Sequence, residues 1–289
     1  MARTDSRASA SASKAQAPYR PGGRHRMERI WENSPKQLLP QVLVLTGRIL
    51  RRWSRDPATL VQSLVMPAGF LVALDIVLGD VLEQVTGASG LYSQVPLVAL
   101  VGGMTGAIIG AVGIMREREV GLLSRFWVVP VHRAAGLLAR LLADFIRIVL
   151  ITLGVLCVGL ALGFRFEQGA LAAVAWVFMP ALFGVALSAA VLTLALFSAN
   201  TIVPQATEIL IAMLMFFSIG FVPLDQYPEW LQPIVEHQPV SYTIEAMRGL
   251  ALGGPVAAPG VVSVLWSAGI FAVCAVPLAI GFRRASKRG

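Results

Sequence analysis

The segment MREREVGLLSRFWVVPVHR, residues 115–133, lies between two strongly apolar stretches of the chain. Its first turn is dense in charge, with arginine and glutamate alternating from Arg116 to Glu119. Beyond these residues the apolar side chains recur at helical spacing, so a helix over this segment has one apolar face. Pro130 ends or bends that helix, because proline has no N–H to donate and its ring clashes with the preceding turn. The pattern predicts a short amphipathic helix outside a membrane, held between two membrane spans.

The composition of the chain is that of an integral membrane protein. Of its 289 residues, 56% are hydrophobic and only 14% are charged, whereas soluble domains carry about 25% charged residues. The apolar residues come in blocks of about 20, the length that crosses about 30 Å of hydrocarbon. The formal net charge is +8. Because the basic residues cluster beside apolar blocks and lack interleaved aromatics, we attribute this charge to membrane orientation rather than to nucleic-acid binding.

Six apolar blocks predict six transmembrane helices in an all-α integral membrane protein. The predicted spans cover residues 59–78, 95–115, 141–164, 170–197, 202–222 and 261–282. Residues 1–35 are predicted to be a disordered cytoplasmic tail, although their arginine- and serine-rich composition is also that of a transit peptide. Residues 36–57 combine an apolar face with several arginines and predict an interfacial amphipathic helix. Residues 58–289 then form the six-span transmembrane domain.

The distribution of lysine and arginine predicts the orientation of these spans. Twelve of the 24 basic residues precede the first span, six lie between Arg116 and Arg147, and four follow residue 282. With six spans, these 22 residues share one side of the membrane, and the positive-inside rule makes that side cytoplasmic. We therefore expect a multi-pass protein of the cell membrane, with both termini and the segment 115–133 in the cytoplasm.

The long loop before the last span is predicted to form a re-entrant cap on the outer side. Residues 228–237 and 240–252 have the pattern of two short amphipathic helices, with Pro239 between them. Tyr227, Trp230 and Tyr242 are of the residue types that favour a membrane interface. Helices that dip into a membrane are stable only where their backbone groups are satisfied or covered by protein.

Two features inside the predicted spans are candidates for a substrate path or a helix interface. Gly102, Gly106 and Gly110 form two overlapping GxxxG steps, which let another helix of this chain or of a partner subunit approach closely. Glu208 places a carboxylate within the fifth predicted span. A carboxylate at that depth costs about 2.5–3.5 kcal/mol on insertion scales, so it is a functional candidate by default. The alternative is simple solvation at the cytoplasmic interface, because the span begins near residue 202.

The chain carries no residue pattern typical of catalysis or of metal binding. It contains no HExxH, no GxSxG and no cysteine or histidine pair at metal-ligand spacing. The phosphate-binding loop GxxxxGK[ST] is absent as well. Asp144 has a local explanation, because Arg140 and Arg147 lie at helical pairing distance from it. We therefore expect a protein that is not an enzyme, holds no cofactor or metal, and takes any energy it uses from a partner.

The six spans, the charged loop helix and the capped outer loop resemble those of the ABC type-2 export permeases. Residues 116–133 are similar to the conserved loop of that family through Glu117, Arg118, Glu119, Gly121 and Pro130. The chain resembles more closely the daunorubicin-resistance (Drr) permeases of actinobacteria, above all their mycobacterial members, over residues 40–286. The similar segments are GLYSQVPLVAL (90–100), RFWVVPVHRAAGLLAR (125–140), LGFRFEQG (162–169), HQPVSYTIEAMRG (237–249) and CAVPLAIGFRRAS (274–286).

This resemblance implies a membrane-spanning permease subunit of an ATP-driven exporter. Its partners would be a DrrA-like ATPase, which binds ATP and Mg²⁺, and a DrrB-like second permease. Its substrates would be complex cell-envelope lipids, or hydrophobic drugs such as anthracyclines. The segment 115–133 would be the coupling helix that contacts the ATPase. The residues expected to make that contact are Arg116, Glu117, Arg118, Glu119, Gly121, Arg125, Phe126 and Pro130.

Two other interpretations of the sequence stay open. A passive channel or membrane scaffold would have the same spans, but substitutions in the segment 115–133 would leave its transport unchanged. An intramembrane enzyme acting on lipid would use Glu208 as a general base and would turn over without ATP or a partner.

Overall fold

The structure, a computed structural model, describes residues 35–86, 89–119, 134–198 and 202–287, and every regular element in these ranges is helical. Helix α1 spans Pro35–Ser54, and α2 (Pro57–Leu60) runs through a π-helical turn (Val61–Val65) into α3 (Met66–Thr86). The long helices α4 (Leu91–Glu119), α5 (Ala135–Leu162) and α6 (Gly169–Phe197) follow. The remaining α-helices are α7 (Ile202–Phe216), α8 (Gln232–His237), α9 (Pro239–Leu252) and α10 (Ala257–Lys287), and a short 3-10 helix (Leu224–Gln226) lies between α7 and α8. The prediction of an all-α protein is confirmed.

Five of the described helical stretches are long and apolar enough to cross a membrane. They are Pro57–Gly79, Leu91–Glu117, Ala135–Leu162, Gly169–Phe197 and Ala257–Phe282, with 23 to 29 residues each. Each overlaps one of the predicted spans 59–78, 95–115, 141–164, 170–197 and 261–282. The chain is therefore a multi-pass membrane protein.

The fifth predicted span, residues 202–222, differs from the helix that is observed. Helix α7 has 15 residues and ends at Phe216, so it is about 22 Å long, less than the roughly 30 Å of a hydrocarbon core. At and beyond its end, the side chain of Tyr227 in the next loop donates hydrogen bonds to backbone carbonyl groups. The Tyr227 hydroxyl donates to Phe216 O at 2.7 Å and to Ser218 O at 3.2 Å. The count of six spans therefore stays a prediction.

Helix α4 lies at the centre of the bundle and contacts α3, α5, α6, α7 and α9. Its small residues allow these neighbours to come close. At the contact with α6, a Cβ atom added to Gly184 would lie 3.4 Å from the carbonyl oxygen of Gly103. Helices α3 and α10 lie at the periphery, and only 17% of the residues in the most apolar stretch of each span are buried in this single chain. That exposure is expected of helices that face lipid or a second subunit.

Helix α1 lies against the beginning of α5. Its Thr46 hydroxyl donates a hydrogen bond to Ala139 O at 3.2 Å, and Val42 is buried with Ala135 and Ala139. The chain then turns at Asp56, whose carboxylate caps α2 by accepting from the Thr59 hydroxyl at 2.6 Å and, more weakly, from its N–H. These two hydrogen bonds hold the pKa of Asp56 below its usual range.

The long loop before the last helix forms two helices close to where the sequence predicts them. Helices α8 and α9 correspond to the predicted helices 228–237 and 240–252. Most of α9 is buried against α4, α6 and α10, and Thr243 in α9 shares a 2.6 Å hydrogen bond with Ser263 in α10. Gly253 ends α9 with a φ of +89°, a conformation that favours glycine. Whether α8 and α9 re-enter a membrane stays a prediction.

Candidate functional site

The charged residues that open the segment 115–133 continue α4 instead of starting a separate helix. Arg116, Glu117, Arg118 and Glu119 form the last turn of α4, which ends at Glu119. Arg116 is exposed, and Glu117 is half-buried. Helix α4 therefore extends four residues beyond the predicted end of the second span at residue 115, and the amphipathic helix over residues 116–133 stays a prediction. The other predicted ATPase contacts, Gly121, Arg125, Phe126 and Pro130, lie outside the described residues.

Glu117 forms an ion pair with Arg140 of α5. The two residues are 23 positions apart in the sequence, and the pair joins the last turn of α4 to the second turn of α5. The side chain of Arg140 is 12% exposed and that of Glu117 is 20% exposed. Because both groups are largely shielded from water, solvent and salt screen their attraction less than that of a surface pair.

Two turns further into α5 lies a second, fully buried ion pair. Arg147 and Asp144 interact through one guanidinium nitrogen and one carboxylate oxygen, and their side chains are only 5% and 4% exposed. The same nitrogen, Nη2 of Arg147, also donates to the carbonyl oxygen of Gly106 in α4 at 3.1 Å. The pair therefore bridges two helices, although its two members lie on the same one.

The predicted glycine stripe lies against α5 of the same chain. An added Cβ atom would approach Ile151 Cγ2 to 2.8 Å at Gly102 and Asp144 Oδ2 to 3.1 Å at Gly110, while at Gly106 it would be 3.7 Å from Arg147 Nε. Because these three positions of α4 are glycines, the space beside them is free for Ile151 and for the buried ion pair of α5. The prediction that these glycines also border a substrate path stays a prediction.

Replacing Gly102 by alanine is expected to lower the free energy of unfolding by about 1–3 kcal/mol, the usual effect of overpacking a core. The reason is that Ile151 is buried and β-branched, so its side chain cannot swing away from a methyl group at 2.8 Å. SDS titration of the purified chain in mixed micelles measures the change.

Gly113→Ala is the matched control for Gly102→Ala, because it lies in the same helix and no atom of the described residues stands within 4 Å of its added Cβ. We expect its unfolding free energy to be unchanged or raised by up to about 1 kcal/mol, since alanine favours a helix over glycine. Equal losses for the two variants would show that the contact with Ile151 does not limit the site.

Several buried polar atoms around the ion pair have no hydrogen-bond partner among the described residues. They are Asp144 Oδ2, Arg147 Nε, Thr152 Oγ1 and Ser188 Oγ. Ser188 lies on α6, whereas the other three residues lie on α5. Buried polar groups without full partners are uncommon in stable cores. Their concentration between α4, α5 and α6 identifies this region as a polar centre in an apolar bundle.

Glu208 lies on the outward face of α7. The buried residues of this helix are Val203, Thr207 and Ile211, a single stripe at helical spacing, and Glu208 lies beside that stripe with its side chain exposed. The Glu208 side chain therefore faces away from the bundle of this chain. Its role in a substrate path or helix interface, which stays a prediction, would involve groups outside the bundle.

The four residues singled out in the loop before the last helix have different surroundings. The Tyr227 hydroxyl donates a hydrogen bond to the carbonyl oxygen of Phe216 at the end of α7, and burial raises the pKa of this hydroxyl. Trp230 is 72% exposed. Pro239 begins α9, and the ring of Tyr242 contacts His237 edge-on, with 6.2 Å between ring centroids. Within the described part of the chain, no group of three or more His, Cys, Asp or Glu residues could hold a metal ion.

Sequence reasoning foresaw only part of this site. The spacing of Asp144 and Arg147 predicts their local pairing, but not that the pair is buried or that it reaches Gly106. The ion pair between Glu117 and Arg140 was not foreseen. One feature of the sequence does indicate a contact of this kind. Arg140 and Arg147 carry charges at helical spacing early in α5, and charged groups inside a membrane require polar partners on neighbouring helices.

Comparison with known proteins assigns the chain to a family. Residues 40–252 match the family described as "ABC-2 type transporter". The chain is 51% identical over 255 residues to the "Probable doxorubicin resistance ABC transporter permease protein DrrC" of Mycobacterium tuberculosis, which covers 88% of this chain and 92% of that protein. It is 26% identical over 207 residues to the "Daunorubicin resistance ABC transporter permease protein DrrB1" of Streptomyces coeruleorubidus, covering 71% of this chain and 73% of the relative.

A more distant similarity reaches outside this group. The "Putative transport permease ycf38" of Cyanophora paradoxa is 24% identical over 219 residues, 73% of this chain and 74% of that protein. The family match spans α2 to α9 and most of α1, and therefore includes every residue of the two ion pairs. The chain belongs to the ABC-2 type transporter family.

Proposed function

We propose that this chain is a permease subunit of a Drr-type ABC exporter, which moves hydrophobic drugs out of the cell. The observation that supports this most directly is the 51% identity, along 88% of the chain, to a probable doxorubicin resistance permease. The five long apolar helices are consistent with a path for an amphiphilic substrate through the membrane. Complex cell-envelope lipids are the second substrate class we propose, because their amphiphilic chemistry is similar.

The energy for this export comes from a separate ATPase subunit. The sequence of this chain contains no phosphate-binding loop, and ABC-2 permeases work with such an ATPase. We propose that a DrrA-like subunit binds ATP and Mg²⁺, and that a DrrB-like permease completes the path. The contact with the ATPase then includes the exposed Arg116 at the end of α4 and the residues that follow, with the termini of the chain on the same, cytoplasmic side.

Reconstitution of the three subunits tests this proposal. The chain, its ATPase partner and the second permease are incorporated into liposomes, with ATP supplied on the side that carries the ATPase. We expect ATP-dependent movement of doxorubicin, followed by its fluorescence, and no movement when the phosphate-loop lysine of the ATPase is replaced by alanine. Movement of the drug that is independent of ATP would instead support a passive channel. A fluorescent lipid in parallel liposomes tests the second substrate class.

Removal of the predicted ATPase contacts is expected to weaken the complex. Arg125→Ala combined with Phe126→Ala should reduce the affinity of the ATPase by about tenfold or more, because arginine and aromatic side chains carry much of the binding energy at protein interfaces. Co-purification of the ATPase at graded concentrations measures the loss. Leu171→Ala is the control, since Leu171 is 85% exposed at the start of α6, far along the chain from this segment. Unchanged co-purification by the double variant would refute the coupling assignment.

A further inference from the structure

The two helices on either side of residues 120–133 are joined directly by charged side chains. Helix α4 leads into this segment and ends at Glu119, and α5 begins at Ala135. Glu117 lies two residues before the end of α4, and its ion pair with Arg140 ties that end to α5. The ion pair therefore connects the two helix ends that flank residues 120–133.

The connection continues into the bundle through the second ion pair. Arg147, two turns beyond Arg140, donates to Gly106 O while it pairs with Asp144. From Gly106 to Glu117 is about 16 Å along the axis of α4. Over this length the two helices are held by an ion pair at one end and by a charge-assisted hydrogen bond at the other. Such bonds have defined geometry, which limits sliding of one helix along the other.

The backbone next to Arg140 is also bonded to α1. The residue before it, Ala139, is buried, and its carbonyl oxygen accepts the hydrogen bond from Thr46 of α1. The backbone that carries Arg140 is thus fixed by α1, while its guanidinium group is fixed by Glu117 of α4. Three helices therefore meet at this residue.

We propose that Glu117 and Arg140 form a charged clasp that makes α4 and α5 move together when the segment between them is displaced. The proposal rests on the proposed function, in which an ATPase displaces that segment. Glu117 and Arg140 are then positioning residues for transport. Without the clasp, a displacement of residues 120–133 can separate the two helix ends, and less of the movement reaches the buried pair at Asp144 and Arg147.

The test compares two single variants with the exchanged pair. Glu117→Gln and Arg140→Gln each break the clasp with little change in side-chain size, and Glu117→Arg combined with Arg140→Glu restores an ion pair of reversed direction. Each variant is assembled with both partner subunits in liposomes. The ratio of doxorubicin transported to ATP hydrolysed is measured, because a purely structural role would lower both together. Arg165→Gln is the control, since Arg165 is exposed and bonds carbonyls at the other end of α5.

Each single variant is expected to lower the ratio by about 2- to 30-fold, while the exchanged pair returns it to within about twofold of wild type and the control leaves it unchanged. A normal ratio in both single variants would overturn the clasp. So would a loss in Glu117→Gln alone, because Glu117 would then act on the ATPase and not through Arg140. If the wild-type assembly itself shows no ATP-driven transport, the proposed function fails and the clasp fails with it.

Discussion

Replacing Arg147 by leucine is expected to lower the free energy of unfolding by about 3–5 kcal/mol, the usual cost of removing one partner of a buried ion pair. The substitution leaves the Asp144 carboxylate in the core, where its side chain is only 4% exposed. It also removes the donor to Gly106 O. SDS titration in mixed micelles measures this change. The remaining carboxylate can reduce the penalty only by taking up a proton.

Removing both partners is expected to cost less than removing one. In Asp144→Leu combined with Arg147→Leu no buried charge is left, and replacing a buried ion pair by apolar residues of similar volume is often close to neutral. Arg48→Leu is the control for the loss of an arginine, because Arg48 is exposed on α1. We expect it to change stability by about 0.5 kcal/mol or less.

The order of the variants decides the interpretation. If the double variant is as unstable as Arg147→Leu, the loss comes from contacts of the arginine with its surroundings and not from an unpaired carboxylate. If Arg147→Leu is as stable as the control, the pair does not contribute to folding.

The sequence alone was sufficient to predict most of the helices. Blocks of about 20 apolar residues mark a transmembrane helix because an unpaired backbone group in lipid costs several kcal/mol, so that a spanning segment must be helical. This reasoning does not depend on tertiary contacts. It therefore placed α4, α5, α6 and α10 correctly, and the proline at 239 separated α8 from α9 as expected.

The end of α7 could not be predicted in the same way. Residues 217–222 include Phe217, Ile219, Phe221 and Val222, so hydropathy extends the span through them. The helix instead ends at Phe216, where the Tyr227 hydroxyl donates a hydrogen bond to the carbonyl oxygen of Phe216 and the side-chain amide of Gln238 donates one to that of Phe217, the next residue. These partners are 11 and 21 residues away. The hydropathy of residues 202–222 cannot reveal where the helix ends, because the side chains that bond its end lie outside this segment.

The site shows the same division between local and distant contacts. Asp144 and Arg147 are three residues apart, and helical geometry alone predicts that they meet. Glu117 and Arg140 are neighbours only because α4 and α5 fold against each other, and their 23-residue separation includes residues outside the described structure. The glycines of α4 predict close approach of a helix, but they do not identify α5 as that helix or a buried charge as the group that fills the space.

The end of the bundle opposite to Glu117 and Arg140 is held by aromatic side chains in place of charges. Phe164 and Trp176 are fully buried. The ring of Phe164 contacts Tyr92 of α4 at 5.1 Å and Trp176 of α6 at 5.8 Å between centroids. Phe166 meets the edge of Trp176 at 5.9 Å. This cluster joins α4, α6 and the connection between α5 and α6, so it holds these helices together at the end of the bundle opposite to Glu117 and Arg140.

Trp176→Ala is therefore expected to lower the free energy of unfolding by about 3–5 kcal/mol, the range for truncating a large buried aromatic residue. The loss includes the contacts with Phe164 and Phe166, each worth about 0.5–1.5 kcal/mol beyond the area they bury. The same SDS titration measures it. Trp176→Phe should recover much of the loss, because the indole N–H of Trp176 has no hydrogen-bond partner within the described ranges, and phenylalanine removes that unpaired donor while it keeps an aromatic ring in the cluster.

Trp230→Ala is the matched control, since it makes the same change at a position that is 72% exposed, and we expect it to alter stability by about 0.5 kcal/mol or less. A loss in Trp176→Ala no larger than in this control would mean that the aromatic cluster does not hold its end of the bundle together. The comparison also separates the two ends of the bundle. Trp176→Ala acts on the end opposite to Glu117 and Arg140, so it should destabilise the chain without changing the transport obtained per ATP in molecules that remain folded.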